Sequence, residues 1–175
     1  MFSITILTTF LLSIKLVLIF FVPLLWGKIE DAFHSGNYEI ARNYLGGIIW
    51  ILPNQPQPYT LKAWLTWSEA IYLKNNGLSY KEKLDEAEKI FHKGQKRNPF
   101  SWQLYFEEAI MWRAFGEREK SLIAYSQAYN IMLLNKIIAE NQQGEKNGRQ
   151  RGIWERRRKR GNGSFKKKST FKIRI

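Results

Sequence analysis

The sequence predicts an all-α protein: a single N-terminal transmembrane helix, then an array of helix–turn–helix repeats, then a basic flexible tail. Three observations predict it. Residues 2–26 are apolar apart from one charge, Lys15. Small and large apolar residues recur at one spacing through the middle of the chain. Positive charge is concentrated at the C-terminus. The expected boundaries are 1–27 for the anchor, 28–141 for the repeats and 142–175 for the tail.

Length and composition narrow the function classes. The chain has 175 residues, 28 Lys and Arg against 15 Asp and Glu, and a net charge of +13. That length suits one domain with appendages. A hydrophobic content of 45% is enough for a core, so a wholly disordered chain is not expected. The absence of cysteine excludes disulfides, Cys-ligated zinc, iron–sulfur clusters and thiol nucleophiles. Two histidines and no nucleophile, phosphate-loop or HExxH pattern argue against an enzyme, and no cofactor is expected.

A helix over residues 2–26 would be about 37 Å long at 1.5 Å per residue. That exceeds a hydrocarbon core of about 30 Å. Lys15 costs about 2.5–3.5 kcal/mol near the centre, which the surrounding Leu, Ile and Phe outweigh. Trp26 and Lys28 suit an interfacial boundary. A cleaved signal peptide is the rival reading, but a basic leader and an A-x-A-like site before Lys28 are both missing. A helix buried in the chain's own core is the third. Thr5, Thr8, Thr9, Ser13 and Lys15 share one half of the helical wheel, a stripe suited to a second membrane helix. The expected location is therefore the membrane, single-pass, with the repeats inclined to the extracytoplasmic side.

The middle segment carries the repeat. Ala41, Leu45, Ile48 and Pro53 are spaced by 4, 3 and 5 residues, and Ala87, Phe91, Gly94 and Pro99 have the same spacing. Ser121, Tyr125 and Ala128 repeat the first two intervals, and Ala87 to Ser121 is 34 residues. Gly116 separates two amphipathic stretches within 101–129. The run PNQPQP (53–58) reads as a stiff extended connection, and NNGLSYK (75–81) as an insertion. IMLLNKIIAE (131–140) either extends the last helix or forms a separate cap.

This pattern resembles the tetratricopeptide repeat (TPR) family, over roughly residues 25–134. Departures are Lys28 and Ile29 in the first unit, the insertion in the second, and Glu108 at a position where Leu is common in the third. The resemblance implies a non-catalytic array whose first helices form a partner groove. By register those groove residues are Lys62, Glu69, Tyr72, Gln103, Phe106 and Arg113. The dense aromatics Trp50, Tyr59, Trp64, Trp67, Tyr72, Tyr80 and Phe91 read as packing rather than a ligand cage. His34 and His92 each lack a second His at ligand spacing, so no metal is expected. Glu86, Glu88, Glu107 and Glu108 read as solvated helix faces.

Residues 136–175 hold 14 Lys and Arg against 3 Asp and Glu. Two clusters carry the charge: Arg156, Arg157, Arg158, Lys159 and Arg160, then Lys166, Lys167 and Lys168. Such composition predicts disorder in isolation. It suits anionic lipid headgroups or an acidic protein surface better than nucleic acid, since the body of the chain is almost neutral. Phe171, Ile173 and Ile175 alternate with Lys172 and Arg174 as in a short strand. The expected function is an adaptor or accessory subunit that binds protein partners, a membrane protein among them. Two alternatives remain at this stage. One is a soluble appendage or fragment of a larger membrane enzyme. The other is a nucleic-acid or anionic-lipid binder acting through the tail.

Overall fold

The structure is a computed structural model that describes the backbone of residues 2–165 and the side chains of residues 13, 14 and 17–143. Six helices follow one another: α1 (Phe2–His34), α2 (Tyr38–Ile51), α3 (Pro56–Asn75), α4 (Lys81–Arg97), α5 (Trp102–Phe115) and α6 (Arg118–Phe165). The all-α expectation holds, and no strand occurs among the described residues. The strand-like pattern at 171–175 lies outside them. The chain divides into two units, Met1–Met132 and Leu133–Ile175.

The helix boundaries follow local chemistry. The α1–α2 turn passes through Gly36, and Asn37 caps α2 by accepting the Ile40 N–H on its side chain. At the other end of α2 the expected extended run 53–58 is shorter than its prolines suggest. Helix α3 begins at Pro56, with Pro58 buried in its first turn. Proline is tolerated there because those N–H groups lack intrahelical partners in any case. Of the expected insertion 75–81, residues 76–80 form the loop between α3 and α4, with Asn75 ending one helix and Lys81 starting the next. Between α5 and α6, Gly116 adopts φ +83°, and Glu117 N–H donates to the Trp112 carbonyl at 2.9 Å.

Within the first unit, α1 packs on α2, α2 on α3, and α3 on both α4 and α5. Two apolar clusters result. One joins α1, α2 and α3 through Val22, Ile29, Ala41, Leu45, Ile48 and Leu65. The other joins α3, α4 and α5 around Tyr59, Ala63, Phe91, Leu104 and Met111. Helix α3 is the wall between them. It gives Leu65 to the first cluster and Tyr59, Ala63, Trp67 and Ala70 to the second. The start of α6 joins α5, where Ser121 Oγ donates to the Ala109 carbonyl at 2.9 Å.

The single-pass membrane location is corrected. Among the described residues no helix is long and apolar enough to cross a membrane. Helix α1 runs without a break into Lys28, Glu30 and Asp31. It turns Val22, Ile29 and Ala32 toward α2 as the first packed element of the fold. Of the proposed polar stripe, Ser13 is exposed, and the side chains of Thr5, Thr8, Thr9 and Lys15 lie outside the described residues.

The segment 131–140 continues α6 instead of forming a separate helix. In the second unit, Leu133, Leu134, Ile137 and Ile138 are exposed, and Lys136 lies 4.0 Å from Glu140 one turn on. The helix reaches Phe165 and so contains Arg156–Arg160 in its backbone. Glu, Gln, Lys and Arg are good helix formers and no proline interrupts the stretch, which outweighs the disorder expected from charge alone.

Candidate functional site

Two regions of the first unit bring chemically interesting side chains together. The first is a cleft of about 520 Å³ between α2 and α3, at the end where α1 turns into α2. Tyr38 and Arg42 line it from α2, and Trp64, Ser68, Glu69 and Tyr72 from α3. The spacing along α3 (64, 68, 72) places those three one turn apart on one face. The Trp64 ring stacks on Phe33 of α1 at 5.9 Å and meets Trp67 edge-on at 6.4 Å. The cleft therefore has a fixed aromatic side. Tyr38, Trp64 and Tyr72 nonetheless remain 49%, 38% and 65% exposed. Its polar side is the Arg42–Glu69 ion pair, with Lys83 Nζ 3.7 Å from the same carboxylate.

The residues expected in a partner groove divide between places. Glu69 and Tyr72 share this cleft. Lys62 is half-buried on α3. Burial lowers its ammonium pKa, Glu86 opposes that shift, and Lys93 and Arg42 add to it. Gln103, Phe106 and Arg113 are exposed on α5. The Gln103 amide oxygen accepts from Ser101 Oγ, and Phe106 contacts Trp102 and Tyr125. Arg113 shares a separate cleft of about 360 Å³ with Ser121, Leu122 and Tyr125. Neither of these two clefts is lined by all six. Register arithmetic missed Tyr38, Arg42 and Trp64. Arg42 and Trp64 each follow a small residue of the α2–α3 contact, Ala41 and Ala63, whereas Tyr38 carries no such signal. Of the seven aromatics expected to pack, Tyr59, Trp67 and Phe91 are buried, Tyr80 stacks on Phe115 and Trp64 on Phe33, while Trp50 and Tyr72 are exposed. Arg156–Arg160 have side chains outside the described residues, and Lys166, Lys167 and Lys168 lie outside them altogether.

The second region joins α4 and α5. Glu88 and His92, one turn apart on α4, face Glu108 of α5, and one ligand atom from each lies within 4.8 Å of the others. The expectation of solvated helix faces fails for Glu108, which is only 6% exposed. Its carboxylate accepts from Gln95 Nε2 at 2.5 Å and Trp112 Nε1 at 3.3 Å, and lies 3.2 Å from His92 Nε2. A cleft of about 450 Å³ opens beside it, lined in part by Tyr105 and Lys120. Lys120 Nζ sits 3.9 Å above the Trp112 ring. Burial raises the Tyr105 hydroxyl pKa, and the negative charge of Glu108 adds to the effect. Burial likewise raises the Glu107 carboxyl pKa. The sequence holds one signal for this cluster: Glu108 stands where the resemblance to tetratricopeptide repeats leads one to expect Leu.

No protein-family model matches the chain, and comparison with curated proteins gives no match.

Proposed function

We propose that the chain is a non-enzymatic adaptor or accessory subunit, a TPR-like array of helix–turn–helix units that docks a protein partner within a larger assembly. Support for the repeat reading comes from packing. Ala41, Ala87 and Ser121, the small residues in register, are all at most 5% exposed. Helix α3 contacts α5 as successive first helices of a repeat array would.

The observation that carries the docking reading is the set of three exposed aromatics, Tyr38, Trp64 and Tyr72, around one cleft beside a charged pair. Trp, Tyr and Arg dominate interface energetics because they bury large areas at modest entropic cost and keep a polar handle. The occupant that fits is a partner helix or peptide with an apolar anchor side chain flanked by polar groups that meet Arg42 and Glu69. The basic C-terminal segment supplies a second, electrostatic contact to an acidic region of the same partner.

A photo-cross-linking residue at Tyr72, with one at Lys89 on the exposed face of α4 as control, tests the docking reading. A discrete adduct is expected from position 72 only. Trp64→Ala should weaken binding of the identified partner by about 2 kcal/mol or more, some thirtyfold in Kd. Equal adducts from both positions, or full affinity in the Trp64→Ala variant, would remove it.

A further inference from the structure

The geometry points to a divalent transition-metal site, of the zinc class, formed by Glu88, His92 and Glu108. Three independent features converge on it. The first is charge. Glu108 is 6% exposed, and among the described residues no Lys or Arg nitrogen lies within 4.0 Å of its carboxylate. Its partners Gln95 and Trp112 are neutral donors. A buried carboxylate held by neutral donors and one imidazole can also accept a cation, and Glu88 beside it adds a second carboxylate. Two carboxylates and a neutral imidazole sum to −2, the charge a divalent ion cancels.

The second feature is spacing. Metal–ligand bonds of about 2.0–2.1 Å in a tetrahedral site place ligand atoms about 3.3 Å apart. His92 Nε2 and Glu108 Oε1 already stand 3.2 Å apart. Glu88, one helical turn before His92 and half-buried at the cleft, closes from at most 4.8 Å by a side-chain rotation. The third is the outer shell and the entry path. Gln95 and Trp112 hold the Glu108 carboxylate in orientation, as groups behind metal ligands do. Glu88, His92 and Glu108 all line the 450 Å³ cleft, which gives an ion a path to them past Lys120. One nitrogen and two carboxylate ligands suit zinc or cobalt, whereas calcium and magnesium require more oxygens. The site is separate from the α2–α3 cleft, so its fate does not depend on the docking reading.

The test uses the untagged full chain, stripped with chelator and titrated with zinc by calorimetry and with cobalt by visible absorption. One ion per chain and a tetrahedral-type cobalt spectrum are expected. His92→Ala and Glu88→Gln, both at accessible side chains, should each weaken binding at least about tenfold. Circular dichroism of each variant separates loss of a ligand from loss of fold. His34→Ala should leave binding unchanged. Absence of saturable binding to the folded wild-type chain would overturn the assignment. So would wild-type affinity in either the His92→Ala or the Glu88→Gln variant.

Discussion

Gly94 is the position where the packing of α3, α4 and α5 makes its sharpest quantitative demand. A Cβ added there would lie 2.9 Å from Tyr59 Cβ, 3.0 Å from Tyr59 Cγ and 3.1 Å from Leu104 Cδ2. Favourable carbon contacts begin near 3.5 Å, so the overlap is about 0.5 Å. Neither neighbour has room to retreat, since Tyr59 is 1% exposed and Leu104 is fully buried. Tyr59 Cβ is fixed to the α3 backbone, so relief requires moving a helix. Overpacking of this kind costs about 1–3 kcal/mol. Alanine returns about 0.8–1.0 kcal/mol of helix propensity over glycine. Gly94→Ala should therefore destabilise by about 1 kcal/mol, a fall of about 4 °C in Tm for a domain of this size. Gly47 in α2 is the internal control, because an added Cβ there meets nothing within 4 Å. Gly47→Ala should raise stability by about 0.5–1 kcal/mol through propensity alone. Urea titrations of both variants, followed by far-ultraviolet circular dichroism, read the two signs. If Gly94→Ala is as stabilising as Gly47→Ala, α4 does not approach α3 and α5 as closely as described here.

Two further perturbations probe other layers of the fold. Gly116→Ala places a side chain at φ +83° and should cost about 1 kcal/mol, read as a lower urea midpoint at unchanged slope. Lys62 has a pKa lowered by burial, so in the alkaline range the unfolded chain holds more protons than the folded one and stability rises with pH. Lys62→Met should accordingly be more stable than the wild type near neutrality, with the gap closing toward pH of about 10. Paired melts across that range test the sign.

The core is legible in the sequence because its spacing is set by helix geometry. Ala41, Leu45, Ile48, Ala87, Phe91 and Gly94 were picked out by interval alone, and all are buried. Pro99 and Gly116 likewise mark helix ends, because a fixed φ and a left-handed φ leave few alternatives. Other features depended on information that intervals do not contain. Pro56 and Pro58 looked like helix breakers, yet a first turn accepts them. The apolar run of α1 reads as a membrane span because hydropathy does not report that Val22 packs into the cluster shared with α2 and α3. The α2–α3 cleft was half legible. Glu69 and Tyr72 lie on the expected helix, but Arg42 meets Glu69 only through a pairing 27 residues away in sequence. The Glu88–His92–Glu108 cluster was the least legible, because it requires α4 and α5 to meet at a specific rotation. Only the misfit of Glu108 in an apolar register hinted at it.

Helix α3 has a consequence for how the first unit comes apart. Leu65 closes one core while Tyr59, Ala63, Trp67 and Ala70 close the other, so both are sealed by opposite faces of the same rod. Loss of the α1–α2 hairpin would strip one face of α3 and leave Leu65 and its neighbours bare to water. Loss of α4 and α5 would do the same to the other face. Neither half can melt without raising the free energy of the element on which the other half is built. Cooperativity in the first unit is thus concentrated in a single helix, and segments that look modular in sequence are energetically bound together.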